Sequence, residues 1–594
     1  MTQPSFHLVT HLRTQFDALA DQTAMRFEQQ GQWQSLTWRQ FGQQSDAVAK
    51  ALLHMGMGVQ QTGAIFADNS PRWTFADVGL LQIRAISTPI YATSTLEQVC
   101  HILGDIKAQV VFVGSQQQLE IALAARAAVA HICPWIITLD DSIALPDQGK
   151  LLAWRDFIAM ADKTPDSELI QRVESLEQQD LFTLIYTSGT TGNPKGVMLD
   201  HANLGAQLLA HDQRLDVGQK DVSLCFLPLA HIFERAWSYY VLYRGACNAY
   251  LANPAEVQAA LGQVRPTLMC AVPRFYEKVY QGIREKAAKA PFYRRALLTW
   301  AESLGKKALE NPQLTDSLRY RLADKLVYSR VRDALGGRIR MMPCGGAKLD
   351  ANIGRFFHAM GINVKLGYGM TETTATVTCW ADTGIEMESV GEPMPNTEIK
   401  IGANNEILVR GPMVMRGYFG LEQATTDSFD EHGFLKTGDA GHLDERGRLH
   451  ITDRIKELMK TSGGKYIAPQ RVEGVVGQDK FIEQVAIVAD MRHFVSALIV
   501  PCFEALEQFA KERSIAFSDR DALLKHREIQ ALFDERLQSI QQELANFEKI
   551  KRFTLLPVAF SIESGEITPT LKLRRKVITE KYAGLIDRMY QTAS

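Results

Sequence analysis

The chain has 594 residues, more than a single hydrophobic core usually serves, so we expect at least two domains. Its 65 basic and 67 acidic residues give a net charge of -2, which argues against the basic excess typical of nucleic-acid-binding proteins. No apolar run reaches the roughly 20 residues of a membrane-spanning helix, and the polar N-terminal segment indicates neither a signal peptide nor an anchor. We expect a cytoplasmic protein, with peripheral contact at the inner face of a membrane left open.

Eight cysteines are spread along the chain without a C-x-x-C pair. This spacing favours reduced thiols over a zinc site or a disulfide framework.

Helix and strand patterns alternate along the N-terminal part of the chain. Apolar residues recur at helical spacing from Phe41 to Met55, whereas Gln109 to Val113 is a short apolar run typical of a buried strand. This alternation predicts α/β layers around a largely parallel sheet. From Gly282 to Gly336 the composition is charged and rich in Ala and Leu, which predicts two helices separated at Pro291. The segment from Arg338 to Met342 predicts a strand that leads into Gly345 and Gly346.

The C-terminal part of the chain has a different texture. From Gly391 onward, short strands and turns predict a small β subdomain. Beyond Arg454, roughly 140 residues have their own strand and helix patterns, enough for a separate domain. We therefore predict a large α/β domain of residues 1–453 and a smaller α+β domain of residues 454–594, with Val495 to Cys502 as a buried strand.

One segment suggests a binding site for polyphosphate. An apolar strand from Leu181 to Tyr186 leads into TSGTTGNPKG, and a second strand follows from Val197. The segment offers backbone N–H groups, hydroxyl donors and one positive charge, more than an unliganded hairpin turn requires. It is not a Walker A loop, because Pro194 precedes Lys195 and Gly196 follows it. The predicted phosphate-binding residues are Thr187, Ser188, Gly189, Thr190, Thr191, Gly192 and Lys195.

The run YTSGTTGNPKGV resembles the phosphate-loop signature of the adenylate-forming superfamily of AMP-binding enzymes. That family includes acyl-CoA synthetases, peptide-synthetase adenylation domains and luciferases. Six further segments resemble family motifs in the family's order: PLAH ending at His231, CGGA at Ala347, GYGMTE at Glu372, TGD at Asp439, DRIK at Lys456 and TPTLK at Lys572. Seven matches in order are far more specific than any single one.

The resemblance implies catalytic roles for several of these positions. Glu372, together with Thr187, would hold Mg²⁺, which prefers a carboxylate plus phosphate oxygens. Lys572 would bridge the substrate carboxylate and the α-phosphate during adenylation, and Lys195 would act in the phosphate loop. His231 would lie beside the carboxylate and the thiol tunnel, although a purely structural histidine is the alternative.

The resemblance also implies a nucleotide site and a hinge. Tyr368 would stack on adenine, Asp439 would accept hydrogen bonds from both ribose hydroxyls, and Arg454 would reach the ribose. Lys456 matches the pivot about which the C-terminal domain rotates between two orientations. The full set of nucleotide-binding positions outside the phosphate loop is Gly345, Gly346, Ala347, Tyr368, Gly369, Thr371, Asp439 and Arg454.

The acid and the acceptor are predicted from other features. The stretch Leu229 to Trp237 offers no Asp that would hold a substrate ammonium group, and we expect Glu234 and Arg235 to form an ion pair. The helical region 282–336 and the segment TDRIKELMKTSGGKYIAPQRVE resemble long-chain fatty acyl-CoA synthetases, which implies a long-chain fatty acid, ATP and coenzyme A as substrates. Two alternatives stay open: delivery to carrier-protein phosphopantetheine, and a non-catalytic nucleotide- or acyl-binding module.

Overall fold

The computed structural model describes residues 6–130, 132, 134–187, 194–542, 544–568 and 572–591, without the side chains of Asp453 and Lys456. The chain forms two compact units. The larger unit runs to Lys400 and includes Leu408–Thr437 and Leu443–His450, and the smaller contains Ile401–Ile407, Gly438–His442 and the chain from Ile451 onward. The domain boundary that the sequence places after residue 453 stays a prediction.

The first part of the larger unit alternates helices and strands. The predicted helix begins slightly earlier than its apolar pattern, at Trp38, and the predicted buried strand begins at Val110. In chain order the elements are α1 (Leu8–Ala18), β1 (Thr23–Gln29), β2 (Gln32–Thr37), α2 (Trp38–His54), β3 (Thr62–Phe66), α3 (Pro71–Gln82), β4 (Ile86–Ile90), α4 (Leu96–Ile106), β5 (Val110–Val113), α5 (Gln116–Ala128), β6 (Trp135–Thr138), β7 (Leu151–Ala153), α6 (Trp154–Ala159), α7 (Asp166–Glu174) and β8 (Leu181–Thr187).

The starts of these helices follow from local side chains. Thr37 accepts a hydrogen bond from the Gln40 amide while the Gln40 side chain accepts one from the Thr37 amide, and Thr95 and Gln98 repeat this capping box at α4. Each such cap satisfies amides that the helix itself leaves unpaired and is worth about 1 kcal/mol.

The remainder of the larger unit contains the following elements, up to Asp427. They are β9 (Lys195–Asp200), α8 (His201–Asp212), β10 (Val222–Cys225), α9 (Ile232–Tyr243), β11 (Cys247–Tyr250), α10 (Val257–Val264), α11 (Pro273–Ala288), α12 (Phe292–Glu310), α13 (Leu318–Ala323), α14 (Ser329–Asp333), β12 (Met341–Cys344), α15 (Ala351–Ala359), β13 (Asn363–Tyr368), β14 (Thr378–Cys379), β15 (Glu392–Pro393), β18 (Gly417–Tyr418) and α16 (Glu422–Asp427).

An eight-stranded sheet in the order β18-β9-β8-β4-β3-β5-β6-β7 forms the largest layer of this unit. The six strands from β8 to β7 are parallel, and β9 and β18 add antiparallel pairs at one edge. The largely parallel sheet predicted from the sequence is therefore confirmed. Two four-stranded sheets, β10-β11-β1-β2 and β12-β13-β14-β15, complete the unit.

Both faces of the large sheet are buried. Side chains alternate between the faces of a strand, and in β5 Val110 and Phe112 join one hydrophobic cluster while Val111 and Val113 join another. A parallel strand covered on both faces needs apolar residues at every position, which explains the uninterrupted run at 110–113.

Two predicted boundaries lie in the second half of the unit. Pro291 separates α11 from α12 as predicted, because proline disfavours helical backbone in the residue before it. The strand predicted from Arg338 to Met342 instead spans Met341–Cys344. Its partner β13 begins only at Asn363, which pairs with Met341, so the earlier residues have no ladder to join.

Four more strands follow the short-strand pattern of the sequence: β16 (Glu398–Ile401), β17 (Glu406–Arg410), β19 (Leu435–Leu443) and β20 (Leu449–Arg454). The division of the chain into two units passes through these strands.

The smaller unit has its own sheet and core. Its remaining elements are β21 (Met459–Lys460), β22 (Tyr466–Ile467), α17 (Pro469–Val476), β23 (Ile482–Val488), β24 (Val495–Pro501), α18 (Phe503–Glu512), α19 (Arg520–Lys525), α20 (Arg527–Ile540), β25 (Ile550–Leu555), α21 (Arg575–Lys581) and α22 (Ala583–Gln591). The central strand of the β23-β24-β25 sheet is β24, in which every residue is buried. This confirms the buried strand predicted at 495–502, and the pattern of strands and helices confirms a mixed α/β chain.

Among the helices described, none combines the length and the apolar character that crossing a membrane requires. The seven cysteines with a described structure are free thiols, and Cys133 lies outside the described residues.

Candidate active site

The predicted phosphate loop joins two paired strands. β8 ends at Thr187 and β9 begins at Lys195, and these two residues are register partners in the antiparallel pair. The two strands therefore bring the ends of the loop together at the edge of the large sheet. Ser188, Gly189, Thr190, Thr191 and Gly192 lie outside the described residues.

Tyr418 connects two of the predicted catalytic residues. The Lys195 ammonium lies 4.8 Å from the centre of the Tyr418 ring, and the Tyr418 hydroxyl donates a hydrogen bond to Glu372 Oε1 (2.9 Å). Burial and the neighbouring Glu372 carboxylate raise the pKa of Tyr418 well above its usual value, so the phenol remains a donor. β18 places Tyr418 here because it pairs with β9, which carries Lys195.

Glu372 lies in a short turn, Thr371–Thr373, just beyond β13. Its backbone carbonyl accepts a hydrogen bond from the Met415 amide (2.8 Å), and its side chain is 7% exposed. No group of three His, Cys, Asp or Glu side chains in the described part of the chain could hold a metal ion by itself. A single carboxylate that acts together with phosphate oxygens is the donor set that suits Mg²⁺, so Glu372 and the Thr187 hydroxyl fit this ion.

The predicted adenine-binding turn follows β12. Gly346 has φ = +86°, a backbone conformation that favours glycine, whereas the nearest neighbour of a Cβ on Gly345 would be the Phe233 ring, at 3.4 Å. Gly369 is required for another reason, because a Cβ there would lie 1.6 Å from the carbonyl oxygen of Ala375. This glycine lets the loop after β13 pack against itself.

A cavity in the larger unit brings several predicted residues together. His231, Gly345, Gly346, Tyr368 and Gly369 all line it. The sequence did not predict the rest of the wall, which is formed by His211, Leu215, Ile232, Phe233, Ala236, Trp237, Pro343, Cys344, Lys365, Gly367, Met370, Ala375, Thr376 and Cys379. Phe233 and Trp237 are four residues apart in α9, so the helical repeat places both on the face that covers the cavity.

His231 combines a structural role with a place in this wall. It is the N-cap residue of α9, and its Nδ1 accepts a hydrogen bond from the Phe233 amide (3.1 Å). This bond fixes the ring at the start of the helix that carries Phe233 and Trp237. His231 therefore has the structural role that the sequence analysis gave as the alternative, and this role orients its ring, which also borders the cavity.

Two ionisable side chains of the wall, His211 and Lys365, are neutral and paired, respectively. Burial lowers the pKa of His211 to about 4, and its Nε2 lies 3.1 Å from Thr376 Oγ1. The Lys365 ammonium lies 2.7 Å from the Asp382 carboxylate and 3.2 Å from the Trp380 carbonyl oxygen. The wall therefore provides aliphatic and aromatic surface without an unbalanced charge, which suits an apolar ligand.

The predicted Glu234–Arg235 ion pair is wrong. Adjacent residues of a helix point in directions about 100° apart, so these two side chains enter different parts of the core. Arg235 pairs with Asp77 and donates to Thr183 Oγ1 (2.6 Å). Glu234 Oε2 accepts hydrogen bonds from the Leu227 amide (3.1 Å) and the Cys270 thiol (3.2 Å), and burial raises the pKa of Glu234 to about 8.

The smaller unit carries the other predicted residues. The Arg454 guanidinium donates to Asp439 Oδ1 (3.0 Å), and Asp439 is 5% exposed, so these two predicted ribose-binding residues form an ion pair. The Lys572 carbonyl accepts a hydrogen bond from the Thr568 amide (2.8 Å). The backbone at Lys456 lies in a short turn, Ile455–Glu457, and its side chain is not described.

Comparisons with solved structures support the fold. The adenylation domain of a carboxylate reductase from Mycobacterium chelonae superposes with a TM-score of 0.79 at 21% identity, over 99% of this chain and 92% of that chain. An anthranilate CoA ligase in complex with anthranoyl-AMP gives a TM-score of 0.72 at 19% identity, with 99% of each chain covered.

Two named enzymes are more similar to this chain in sequence than these solved structures are. The long-chain-fatty-acid–CoA ligase FadD15 of Mycobacterium bovis is 33% identical over 94% of this chain and 93% of its own length. The human long-chain-fatty-acid–CoA ligase ACSBG1 is 31% identical over 97% of this chain and 84% of its own. The family model of the AMP-binding enzyme matches residues 12–419, and that of the AMP-binding enzyme C-terminal domain matches residues 456–594. The chain belongs to the family of AMP-binding, adenylate-forming enzymes.

Proposed function

We propose that this protein is an AMP-forming long-chain fatty acid–CoA ligase. It would use ATP to convert a fatty acid to an acyl adenylate and then transfer the acyl group to coenzyme A. The observation that carries the proposal is the cavity, which is lined by His231, by the glycine turn at Gly345 and by apolar side chains. Relatives that are named long-chain-fatty-acid–CoA ligases over nearly the whole chain support the same activity.

The first half-reaction brings anionic groups together, so its main requirement is positive charge placed in advance. Lys195 would bind the polyphosphate from the base of its loop, and Tyr418 holds the Lys195 and Glu372 side chains near each other. Bound Mg²⁺, held by Glu372 with Thr187, would offset the charge of the phosphate oxygens. Tyr368 and the turn at Gly345 would bind the adenosine.

The apolar wall would bind the acyl chain. Phe233, Trp237 and Leu215 provide surface that gains from the removal of a hydrocarbon chain from water, at about 0.8 kcal/mol for each buried methylene. An acid with a positively charged substituent would find no unpaired carboxylate among the described lining residues. This supports a fatty acid over an amino acid as the substrate.

The smaller unit would act on the ribose and the reacting groups. Asp439 would accept hydrogen bonds from the ribose hydroxyls, with Arg454 beside it. Lys572 would bridge the substrate carboxylate and the α-phosphate. Rotation about Lys456 would then exchange the adenylating orientation for the thioester-forming one, because a hinge absorbs a large backbone change at few positions.

The direct test measures pyrophosphate release with fatty acids of graded length, and thioester formation with and without coenzyme A. We expect release that rises with chain length into the long-chain range and acyl-CoA as the product. Formation of acyl adenylate that is transferred only to carrier-protein phosphopantetheine would replace the proposed acceptor. Nucleotide binding without pyrophosphate release for any acid would indicate a binding module and refute the enzyme assignment.

The roles of Lys572 and Lys456 are tested by separating the half-reactions. Lys572→Ala should abolish adenylation yet still convert pre-formed acyl adenylate and coenzyme A to thioester. Lys456→Pro should fix the hinge and, if it holds the adenylating orientation, show the reverse pattern. Equal loss of both steps in the Lys572 variant, or an unchanged thioester rate in the Lys456 variant, would show that the residue is misassigned.

A further inference from the structure

The connection between α11 and α12 exposes two aromatic side chains next to each other. Phe292 is 76% exposed and Tyr293 is 56% exposed, and their ring centres are 6.1 Å apart. They are the only neighbours in sequence among the exposed large hydrophobic residues of the described chain. Single exposed apolar residues are ordinary on a protein surface, but an adjacent aromatic pair at a helix start indicates a contact surface.

Basic residues flank this pair along the chain. The segment Lys286–Arg295, which we name the α11–α12 corner, contains four cations and no acidic residue, and the nearest acidic residues in the sequence are Glu285 and Glu302. The four cations Lys286, Lys289, Arg294 and Arg295 are exposed, and within the described part of the chain none of them forms an ion pair. The chain as a whole carries -2, so this corner contrasts with the rest of the molecule.

The local helix geometry does not account for these residues. α12 begins without a side-chain cap and with no acidic residue in its first turn. Arg294 and Arg295 instead add positive charge at the helix end that already carries the positive end of the dipole. This arrangement costs stability in the isolated chain, and an anionic surface outside the protein would reverse the sign of that interaction.

A second copy of the chain and a different partner protein fit this corner less well than a membrane surface. A second copy of the chain in a two-fold contact would oppose the same four cations, because the same patch meets itself. Two aromatic side chains also provide far less area than the roughly 800 Å² per partner that a stable protein interface buries. A flat anionic surface suits both the aromatic pair and the four cations. It requires only shallow insertion of the rings, and its negative charge attracts basic residues.

We propose that the α11–α12 corner docks on an anionic lipid bilayer. The rings of Phe292 and Tyr293 enter the interfacial region, where aromatic side chains are favoured, and the four cations contact lipid phosphates. The contact is reversible and peripheral, because it involves one aromatic pair and one basic cluster. The inference goes beyond the proposed function and does not depend on it, since docking requires no substrate.

The test is co-sedimentation of the full-length protein with vesicles, in the absence of fatty acid, ATP and coenzyme A. One set of vesicles is pure phosphatidylcholine and the other is an equimolar mixture with phosphatidylglycerol. We expect binding to the anionic vesicles that weakens with added salt, and little binding to the neutral ones. Each cation near an anionic surface changes the binding constant about fivefold, so Arg294→Gln with Arg295→Gln should weaken binding about 25-fold.

Phe292→Ser with Tyr293→Ser removes the aromatic contribution and should weaken binding while the salt dependence remains. Matched controls lie on α13, beyond the far end of α12. Arg319→Gln with Arg321→Gln removes two exposed cations, and Leu318→Ser removes a large hydrophobic residue that, at 82%, is the most exposed of those the structure describes. Both controls should bind vesicles as the wild type does, and circular dichroism should show that every variant is folded.

Three results would overturn the proposal. They are equal binding to neutral and anionic vesicles, equal loss of binding in the α13 controls, and no vesicle binding at all. Self-association that the aromatic variant abolishes, measured by sedimentation velocity without lipid, would assign the corner to a second copy of the chain instead. Binding to RNA without binding to vesicles would assign it to a polyanion other than a bilayer.

Discussion

The turn Thr371–Thr373 and the core beneath α9 both contain nearly buried acidic side chains, yet the two regions use them differently. In the turn, Glu372 accepts a hydrogen bond from Tyr418, whose ring lies against the Lys195 ammonium. In the core, Asp77 pairs with Arg235, both side chains are 1% exposed, and burial keeps Glu234 neutral at pH 7 by raising its pKa to about 8. Burial and charge alone therefore do not identify a catalytic residue.

The difference lies in what surrounds each group. The core charges are enclosed by Thr183, Tyr239 and the rings of Trp73 and Phe182. Glu372 instead lies beside β9, one of the two strands that flank the predicted phosphate loop. Substitutions in the core should thus change stability, and substitutions at Glu372 and Tyr418 should change the rate of adenylation.

The largest effect is expected in the core. Arg235→Met should lower the free energy of unfolding by about 3–5 kcal/mol, because it leaves the Asp77 carboxylate buried without its partner. Chemical denaturation followed by tryptophan fluorescence measures this loss. Adding Asp77→Leu to the same variant should restore much of the stability, and a single variant as stable as the wild type would contradict the assigned pairing.

Glu372→Gln should act on the rate instead. Removing a charge that stabilises the transition state typically costs about 10²–10³ in rate, while the neutral amide keeps the volume of the side chain. Pyrophosphate release and the melting temperature should therefore separate, with the first reduced and the second close to wild type. Glu388→Gln, an exposed glutamate of the same unit, is the control. Near-normal release in a folded Glu372 variant would remove this residue from the site.

Glu234→Gln should change how stability depends on pH. The folded state holds the Glu234 proton up to about pH 8, whereas the unfolded chain releases it near 4.5, so this group stabilises the fold at low pH. That contribution is lost as pH rises between these values. The stability of the Gln variant relative to wild type should therefore increase from pH 5 to pH 8, as measured by denaturation. A difference independent of pH would show that Glu234 is ionised in the fold.

The smallest effect is expected at Tyr418. Tyr418→Phe removes one hydrogen bond to a charged group but keeps the ring face beneath Lys195, so we expect about a tenfold loss in pyrophosphate release. Tyr418→Leu also removes the cation–π contact and should lose roughly a further twofold to fivefold. If the two variants were equally active, the ring face would have no role in holding Lys195.

Local patterns were sufficient for several elements. The strands β8 and β9, the helix break at Pro291 and the buried strand β24 follow from residues that are neighbours in the chain. The strand predicted from Arg338 instead begins at Met341, because a strand extends only where another strand pairs with it. Its partner β13 begins at Asn363, after α15, and no local pattern near Arg338 indicates where that pairing starts. Site residues carried by a contiguous motif were predicted for the same reason, and their roles stay predictions.

The sequence by itself determined the family and the residues of each motif, because these depend on the order and spacing of nearby residues. Only the tertiary structure decided which distant residues meet. Tyr418 and Glu372 are 46 positions apart, and Asp77 and Arg235 are 158 apart, with no local signal that links either pair. The charge state of Glu234 likewise depends on burial, because desolvation acts on an atom through everything packed around it in space.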